Sequence, residues 1–262
     1  MKKPILRFAP SPNGPLHLGH AYCALFGAEK AEELGGQYLL RMEDIDVLRC
    51  KPEFLAEAHE ILSWLGIRFD GPIRRQSEHM QDYSRALSSL KNQGLLYPCW
   101  CSRKELHAEL RDPDGAPLHQ GRCQPKQGAY ALRLDMQKAK RSVRFREQGQ
   151  WVEADPNIWG DVIIARKDIG TSYHLAVVVD DALQGVSHVT RGQDLFAATS
   201  VQRLLQYWLE LPEPCYHHHE LIRDDGGRKL SKSEGDRSIA ALREEGVSPA
   251  DIREAFGFHN KK

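Results

Sequence analysis

The sequence predicts an α/β fold built around a parallel β-sheet, chiefly from its first 44 residues. A short apolar run, "ILRFA" (5–9), is typical of a buried strand. The stretch "HLGHAYCALFGAEKAEELGG" (17–36) has the apolar spacing of a helix and ends in a glycine pair, a common stop signal. "QYLLRMED" (37–44) returns to strand character. A strand, a helix and a strand in this order indicate a βαβ unit, and hence parallel strands.

Three further helices and two further strands are predicted from the same patterns. Pro52 suits the first turn of one helix, and Gly94 ends another. Turn-forming residues dominate between Tyr97 and Gly128, so the chain changes character there. The predicted helices span 51–66, 77–94 and 194–211, and the predicted strands span 161–168 and 173–183.

Composition and charge restrict the classes of function. The chain has 262 residues, 41% of them hydrophobic, which is enough for one large domain or two smaller ones. Its formal net charge is zero, so nucleic-acid binding would need local patches such as "KAKRSVRFR" (138–146), for which a solvated surface is the alternative. The sequence predicts neither a signal peptide nor a membrane span, and its 6 cysteines do not indicate a disulfide scaffold. We therefore expect a cytoplasmic protein.

Two stretches far apart in the sequence carry groups suited to binding phosphates. His17 and His20 lie where the first predicted strand gives way to a helix, a position at which α/β folds bind phosphates. Their ring N–H groups can stabilise charge that builds up on a phosphate. Near the other end of the chain, "RDDGGRKLSKSEG" (223–235) places Lys229, Ser231 and Lys232 in a glycine-rich segment. Together the two stretches are suited to hold a triphosphate from both sides.

A cysteine-rich segment predicts a metal site in the middle of the chain. Cys99, Cys101 and Cys123 lie within 25 residues, with His119 between them. Three thiolates and one imidazole are a common ligand set of structural zinc sites, although the C-x-C spacing is tighter than usual. Free thiols beside a surface histidine are the alternative. Because an insert with so few apolar residues needs a staple, we predict one structural Zn²⁺ at these four side chains, with His107 as the alternative fourth ligand.

Another histidine-rich stretch, "CYHHHE" (215–220), is predicted to be a plain strand. Successive side chains of a strand point to opposite faces, so at most two of the three histidines can share a metal. A strand that leads into "KLSKS" is therefore favoured over a metal site.

The motifs resemble those of a known family. "HLGH" and "KLSKS" resemble the HIGH and KMSKS signatures of class I aminoacyl-tRNA synthetases, and "RFAPSPNGPLHLGHA", "RMEDID" and "VVDDALQGVSHVTRGQDL" (178–195) resemble the glutamyl branch. The resemblance implies a Rossmann-type parallel-sheet catalytic domain that activates glutamate with ATP and Mg²⁺, with an inserted zinc-binding subdomain of the acceptor-stem type. It implies catalytic roles for His17, His20 and Lys232. The ATP-binding residues it implies are His17, Gly19, His20, Lys229, Ser231 and Lys232.

The charges of glutamate indicate what its pocket should contain. Two carboxylates and one ammonium, in a partly dry cleft, call for two cations and one anion. Among residues that match the family motifs, Arg7 and Arg191 can each bind a carboxylate and Glu43 can bind the ammonium. The sequence leaves open which arginine binds which carboxylate, and a strand-end carboxylate is the alternative for Glu43, as core packing is for Tyr173. The full glutamate-binding set is Arg7, Phe8, Ala9, Pro10, Ser11, Glu43, Tyr173 and Arg191.

The end of the chain indicates which members of the branch it resembles. It stops shortly after Ser233, without the helical anticodon-binding domain of full glutamyl-tRNA synthetases. In this it resembles truncated paralogues that transfer glutamate to the queuosine base in the anticodon loop of tRNA(Asp). The resemblance implies activation without tRNA and the tRNA(Asp) anticodon stem-loop as partner, with the acceptor hydroxyl left open, and we expect a monomer. A minimal glutamyl-tRNA synthetase that charges tRNA(Glu) and a non-enzymatic RNA-binding protein are the alternatives.

The resemblance also predicts how the chain is divided. Segment 1–98 is the expected first half of the catalytic domain, and 99–189 the connective insertion, with the zinc element at 99–123. Segment 190–235 is the expected second half with the "KLSKS" loop, and 236–262 a short helical remnant.

Overall fold

The computed structural model describes residues 3–102, 105–106, 110–119, 121, 123–222 and 237–258. The elements of its first part are β1 (Ile5–Phe8), α1 (Leu18–Glu33), β2 (Gln37–Met42), α2 (Pro52–Trp64), β3 (Arg74–Arg75), α3 (Met80–Asn92), β4 (Leu96–Cys99), β5 (Ala131–Leu134) and α4 (Met136–Ala139). They are followed by β6 (Val143–Glu147), β7 (Gln150–Ala154), β8 (Ile163–Ala165), α5 (Tyr173–Leu183), β9 (His188–Gly192), α6 (Ala198–Trp208), β10 (Cys215–His219), α7 (Ile239–Glu244) and α8 (Pro249–Ala255).

The chain forms two compact units. The first unit comprises Met1–Ser77, Val186–Asp194 and His217–Lys262, and the second comprises Glu78–Gly185 and Leu195–Tyr216. Strand β10 therefore begins in the second unit and ends in the first. The predicted segments follow a family resemblance rather than contacts within the chain, and their boundaries stay a prediction.

The βαβ unit predicted at the start of the chain is present in the first unit. Strands β1 and β2 are parallel, with Ile5 opposite Gln37 and Phe8 opposite Leu40, and α1 connects them. Strand β3 extends the parallel sheet beyond β2. Helix α1 ends at Glu33, shortly before the glycine pair predicted to stop it. The predicted α/β class with a parallel sheet is therefore confirmed.

The core of the first unit lies between this sheet and its helices. Leu6 of β1 and Leu40 of β2 are buried against Leu25 of α1 and Ile61 of α2. Burial of each such side chain stabilises the fold by roughly 1.5–3 kcal/mol. Ile252 of α8 joins the same cluster, so the helix near the C-terminus packs on this unit. The core fixes the carboxyl ends of β1 and β2, where the candidate site lies.

Antiparallel strands dominate the second unit. Strands β4, β5 and β8 form a three-stranded antiparallel sheet, and β6 and β7 form a hairpin. The first two residues of β10 run parallel to β6. The strand predicted over 161–168 is present as the shorter β8, whereas β4 to β7 were not predicted.

The strand predicted over 173–183 is wrong, because Tyr173–Leu183 forms helix α5. Every residue from Leu175 to Asp181 is buried, so this helix lacks the polar stripe that marks a surface helix. A continuous apolar run of this length cannot be assigned to strand or helix by periodicity alone. The helix is anchored by a 2.9 Å hydrogen bond from the Tyr83 hydroxyl to Oδ2 of Asp180, both of them wholly buried.

The other predicted elements are present with shorter bounds. The helices predicted over 51–66, 77–94 and 194–211 are α2, α3 and α6, and "CYHHHE" contains strand β10. Pro52 lies in the first turn of α2 as predicted. Within the described ranges, none of the helices combines the length and the apolarity needed to cross a bilayer.

Candidate functional site

The first signature motif forms the start of α1. His17 is the N-cap residue, and its Nδ1 accepts a 3.1 Å hydrogen bond from the N–H of Gly19. Nδ1 of His20 accepts a 3.2 Å hydrogen bond from the N–H of His17, and the two ring centres are 3.9 Å apart. Because each Nδ1 accepts a backbone hydrogen bond, the neutral rings carry their protons on Nε2. Nε2 is therefore the nitrogen that can donate to a phosphate.

Gly19 leaves room for the ring of His17, which folds back over the first helical turn. A Cβ at position 19 would lie 2.9 Å from this ring, which is closer than real Cβ contacts come. A larger residue would displace the His17 ring and with it the cap of the helix. The predicted role of Gly19 in ATP binding stays a prediction.

The residues that follow the second signature motif lie beside the first. Ser238 forms an antiparallel β-bridge with His17, and the N–H of Ile239 donates a 2.8 Å hydrogen bond to the carbonyl of Leu16. The motif itself falls between 222 and 237, outside the described residues. The predicted ATP-binding residues of this motif therefore also lie outside the described ranges; they are Lys229, Ser231 and Lys232.

Two buried arginines lie on strands β1 and β9 of the first unit. Arg7 and Arg191 are each 4% exposed. Nη1 of Arg7 donates a 3.2 Å hydrogen bond to the carbonyl of Thr190, the residue before Arg191. Nε of Arg191 donates a 3.0 Å hydrogen bond to Nε2 of His218. Contacts within the chain thus hold both guanidinium groups in place at the positions predicted to bind carboxylates.

Glu43, which is 8% exposed, has a charged partner that was not predicted. Its Oε1 accepts a 3.1 Å hydrogen bond from Nη2 of the wholly buried Arg41. Its backbone N–H donates a 3.0 Å hydrogen bond to the carbonyl of Pro10, which ties it to the loop after β1. The neighbouring Asp44 accepts hydrogen bonds from the backbone and the hydroxyl of Ser77. The carboxylate of Asp44 therefore serves the local fold.

The remaining predicted glutamate-binding residues lie in two places. Phe8 is the buried last residue of β1 and the loop at 9–11 follows it, so Phe8, Ala9, Pro10 and Ser11 belong to the first unit. Tyr173 is the first residue of α5 in the second unit.

The four predicted metal ligands come together in the second unit. One ligand atom from each of Cys99, Cys101, His119 and Cys123 lies within 4.8 Å of all the others. Nε2 of His119 is 3.4 Å from Sγ of Cys99, and both residues are buried. Four donors this close fit a tetrahedral Zn²⁺, whose bonds are about 2.3 Å to sulfur and about 2.0 Å to nitrogen. His107, the alternative ligand, lies outside the described residues.

A buried chain of hydrogen bonds orients His119. The Tyr97 hydroxyl donates a 2.7 Å hydrogen bond to Oδ2 of Asp161, so its oxygen accepts one from Nδ1 of His119 at 3.1 Å. This leaves Nε2 of His119 unprotonated, which is the form that binds a metal. Burial, and then the positive charge of Arg133, lower the pKa of His119 and keep its ring neutral. Nε of Arg133 also donates a 3.2 Å hydrogen bond to Sγ of Cys99.

The thiols of this cluster differ in acidity. Burial and the neighbouring thiols raise the pKa of Cys101 to about 12. At Cys123 burial acts in the same direction, but hydrogen bonds from the N–H of Trp100 and from the neighbouring thiols outweigh it and lower the pKa. A metal that binds to these cysteines must displace the remaining thiol protons, which is usual for cysteine sites.

The three consecutive histidines of β10 each contact other side chains in the first unit. His217 stacks on His188 with ring centres 5.4 Å apart, and His218 accepts the hydrogen bond from Arg191. The ring of His219 lies edge-on to Tyr22 at 5.0 Å. The predicted strand is confirmed, but the preference against a metal site stays a prediction, because ligand atoms of His188, Cys215 and His217 lie within 4.8 Å of one another.

Comparison with known proteins identifies the family. The family described as "tRNA synthetases class I (E and Q), catalytic domain" matches residues 5–258. The chain belongs to this family. A protein named "Glutamyl-Q tRNA(Asp) synthetase" from Rhodobacter capsulatus is 48% identical in an alignment that covers 97% of this chain and 99% of the relative. A protein of the same name from Prochlorococcus marinus is 38% identical, covering 94% of this chain and 78% of the relative.

Solved structures of class I synthetases share the fold. The crystal structure of a glutamate tRNA ligase from Elizabethkingia meningosepticum in complex with its amino acid matches with a TM-score of 0.73 at 26% identity. The match covers 89% of this chain and 53% of that chain, so this chain spans about half the length of the solved protein. As a class I synthetase the chain is an enzyme of the ligase class, and class I synthetases use ATP with Mg²⁺.

Four residues of this class I synthetase were missed at the sequence level. Arg41 could have been found, because residues 41 and 43 of "RMEDID" lie two apart and share one side of a strand. The other three carry no local signal, since each reaches its partner across a long stretch of chain. They are Tyr97, Asp161 and His218.

Proposed function

We propose that this class I synthetase activates glutamate with ATP, without tRNA, and transfers it to the queuosine base in the anticodon loop of tRNA(Asp). The acceptor is proposed from the name of the Rhodobacter capsulatus relative, which is 48% identical across 97% of this chain. The observation that carries the proposal of glutamate is the buried set of Arg7, Arg191 and Glu43 in the first unit. Two cations and one anion complement the three charges of glutamate.

The activation step is an attack of the α-carboxylate of glutamate on the α-phosphorus of ATP, with pyrophosphate as the leaving group. Arg7 and Arg191 each bind one carboxylate of glutamate, and Glu43 binds its ammonium. Arg41, wholly buried beside Glu43, holds that carboxylate in place through their ion pair. Mg²⁺, when bound with ATP, offsets charge on the triphosphate.

The phosphate-binding groups stabilise the charge that develops during this attack. His17 and His20 donate from Nε2, because their Nδ1 atoms are engaged with the backbone. Lys232 is proposed to add a positive charge from the second signature motif, with Lys229 and Ser231 as further ATP contacts. The contact between Ser238 and His17 supports the approach of the two motifs.

Transfer is a second displacement, at the carbonyl carbon of glutamyl-adenylate. A hydroxyl of the queuosine cyclopentenediol forms the new C–O bond and AMP leaves, giving an ester. No covalent enzyme intermediate is needed. Burial raises the pKa of the Cys23 thiol, just after "HLGH", to about 12, which makes it a poor nucleophile.

Activation without tRNA is proposed because contacts within the chain already hold the described site residues. Glutamate-dependent ATP–pyrophosphate exchange in RNA-free enzyme tests this, with aspartate and glutamine as control substrates. We expect exchange with glutamate alone. Exchange that appears only when tRNA(Glu) is added would favour a minimal glutamyl-tRNA synthetase. Absence of exchange under every condition would favour a non-enzymatic RNA-binding protein.

We further propose one structural Zn²⁺ per chain at Cys99, Cys101, His119 and Cys123. Support comes from the separation of the four ligand atoms and from the hydrogen-bond chain that prepares His119. When bound, the ion would join the end of β4 to the segment that carries His119 and Cys123. Its role is to staple this segment.

The insertion at 99–189, the cytoplasmic location and the monomeric state are kept as proposals. They depend on the sequence and its family resemblance.

A further inference from the structure

The outer face of the β6–β7 hairpin concentrates aromatic and cationic side chains. In the antiparallel register of the hairpin, Arg146 lies opposite Trp151 and Arg144 lies opposite Glu153. Cross-strand partners point to the same face of a sheet, and all four of these residues are exposed. The alternate positions of β6 are buried, so the hairpin has one face in the core and one face in solvent.

The hairpin is a well-defined platform for these side chains. Its two-residue turn consists of Gln148 and Gly149, with φ values of 50° and 86°. Positive φ at both positions is characteristic of the tight turn that matches the twist of paired strands and fixes their register. The other edge of β6 is paired with the first residues of β10. The positions of residues 144, 146 and 151 are therefore set by the pairing of β6 with β7, and that of Arg146 also by its pairing with β10.

The exposed ring of Trp151 lies close to two guanidinium groups. The residue is 46% exposed, and the Cζ atoms of Arg144 and Arg146 lie 4.2 and 4.8 Å from the centre of its ring. Guanidinium groups at such distances from an aromatic ring attract it through cation–π interactions. The arrangement offers a flat surface flanked by positive charge. Nucleobases bind to such surfaces by stacking.

The positive charge extends along the chain that enters the hairpin. Lys140 and Arg141 are exposed, and the guanidinium of Arg141 lies 4.8 Å from the ring centre of Trp208. In the described part of the chain, the ion pairs of this region involve Lys138 and Arg203. They do not involve the four exposed cations Lys140, Arg141, Arg144 and Arg146. Glu153 and Asp155 line one surface pocket together with Lys140 and Arg141, so the four cations outnumber these two carboxylates. A local excess of cations attracts phosphates.

We propose that the face defined by Arg144, Arg146 and Trp151 is a contact surface for single-stranded RNA. An unpaired base stacks on Trp151, while Arg144 and Arg146 bind the phosphates beside it, and Lys140 and Arg141 extend the path of the backbone. Loops of RNA present unstacked bases in this way, whereas paired helices do not. The identity of the RNA, the anticodon loop of tRNA(Asp), rests on the proposed function.

Binding measurements with paired variants of the full chain test this surface. The two test proteins are Trp151→Ala and the double variant Arg144→Ala/Arg146→Ala. The matched control is Arg85→Ala/Arg243→Ala, which removes the same charge. Arg85 and Arg243 are also exposed, but each has a carboxylate partner, and Arg243 also lies over a tryptophan ring at 5.7 Å. Affinity is measured for tRNA(Asp) and for its isolated anticodon stem-loop over a series of salt concentrations.

We expect Trp151→Ala to weaken binding about 5- to 100-fold, because a stacked base is lost, and Trp151→Phe to recover part of it. The double arginine variant should flatten the slope of log affinity against log salt by about 1.4, as expected for two lost phosphate contacts on a single strand. The control should match the wild type in both measurements. RNA-free ATP–pyrophosphate exchange should be unchanged in every variant, which shows that the proteins are folded.

The inference would be overturned if both test proteins had the RNA affinity and the salt slope of the wild type. It would also be overturned if this face bound another protein instead of RNA. The proposed function fails separately. If the wild type binds RNA through this face but transfers no glutamate to tRNA(Asp), the surface stands and the function falls. If transfer proceeds with an unchanged KM for tRNA in both test proteins, the function stands and the surface falls.

Discussion

Replacement of Arg191 by alanine is a clean test of the proposed glutamate pocket. Nε of Arg191 donates to an acceptor nitrogen of His218, so its loss leaves an imidazole behind and no uncompensated carboxylate from that contact. Glu43 is a poorer choice, since its removal would deprive the wholly buried Arg41 of the carboxylate beside it. Breaking such a buried pair costs about 3–5 kcal/mol of stability, and activity and folding would fail together.

The size of the expected effect follows from the burial of Arg191, which is 4% exposed. Removing one partner of a buried, hydrogen-bonded charge pair costs about 2–5 kcal/mol. Because about 1.36 kcal/mol corresponds to a tenfold change in rate, kcat/KM for glutamate should fall about 30- to 5000-fold. The KM for ATP should change little. Arg191→Lys should recover part of the loss, since it keeps the charge but not the two-pronged geometry.

The assay is glutamate-dependent ATP–pyrophosphate exchange at saturating ATP. Arg203→Ala is the control, because Arg203 is equally buried but lies in the second unit, where its Nε donates to the carbonyl of Arg144. It should lower the Tm and leave kcat/KM for glutamate unchanged. Activation kinetics in Arg191→Ala equal to those of the wild type would refute the assignment of the pocket.

The same variant decides which carboxylate Arg191 binds. Glutamine lacks the charge of the side-chain carboxylate and keeps the α-carboxylate. If Arg191 binds the side chain, Arg191→Ala loses its preference for glutamate over glutamine. If Arg191 binds the α-carboxylate, activation of both amino acids falls and the preference remains.

Other buried groups of the chain can be tested in the same way. Protein purified without chelator should contain one Zn²⁺ per chain, and absence of zinc in the wild type would contradict the metal site. The variant Asp161→Asn disturbs the hydrogen-bond chain to His119 and should weaken zinc binding about 10- to 100-fold in a chelator competition. Tyr83→Phe removes the hydroxyl that donates to the buried Asp180 and should lower the free energy of unfolding by about 1–3 kcal/mol in urea titrations, whereas an unchanged midpoint would contradict this. Burial lowers the pKa of His219, so its neutral form stabilises the fold above about pH 6.5, and this contribution is lost as the pH falls. The variant His219→Leu should flatten the decline of stability between about pH 7 and pH 5. An unaltered decline would count against this prediction.

The parallel half of the fold is predictable because its patterns are local. The short apolar run of β1, the periodic helix α1 and the strand β2 occur in sequence order, and the βαβ arrangement follows directly. Helix α5 is not predictable in this way, because a helix buried on all sides has no polar stripe. Strand β6 shows a third case. Its "VRFRE" alternates between buried and exposed positions, which is typical of a strand. Its charged residues were interpreted as part of a basic surface patch, so this alternation was missed.

The candidate site is predictable where residue type alone limits the chemistry. Three cysteines and a histidine in a poorly apolar segment indicate a metal, and the structure brings those four side chains together. The groups that orient them are not predictable, because Tyr97 meets Asp161 across 64 residues of sequence. In the same way, Arg191 meets His218 across 27 residues. Such pairs depend on how distant segments meet in the folded chain, which no local pattern encodes.

The most direct test of the proposed function is to find where the glutamate is attached. The enzyme is incubated with ATP and radiolabelled glutamate together with tRNA(Asp) that contains queuosine, tRNA(Asp) that lacks it, or tRNA(Glu). Ribonuclease digestion then separates the anticodon-loop fragment from the 3′ end. We expect label in the anticodon-loop fragment of queuosine-containing tRNA(Asp) alone. Label at the 3′ end of tRNA(Glu), or on tRNA(Asp) without queuosine, would contradict it.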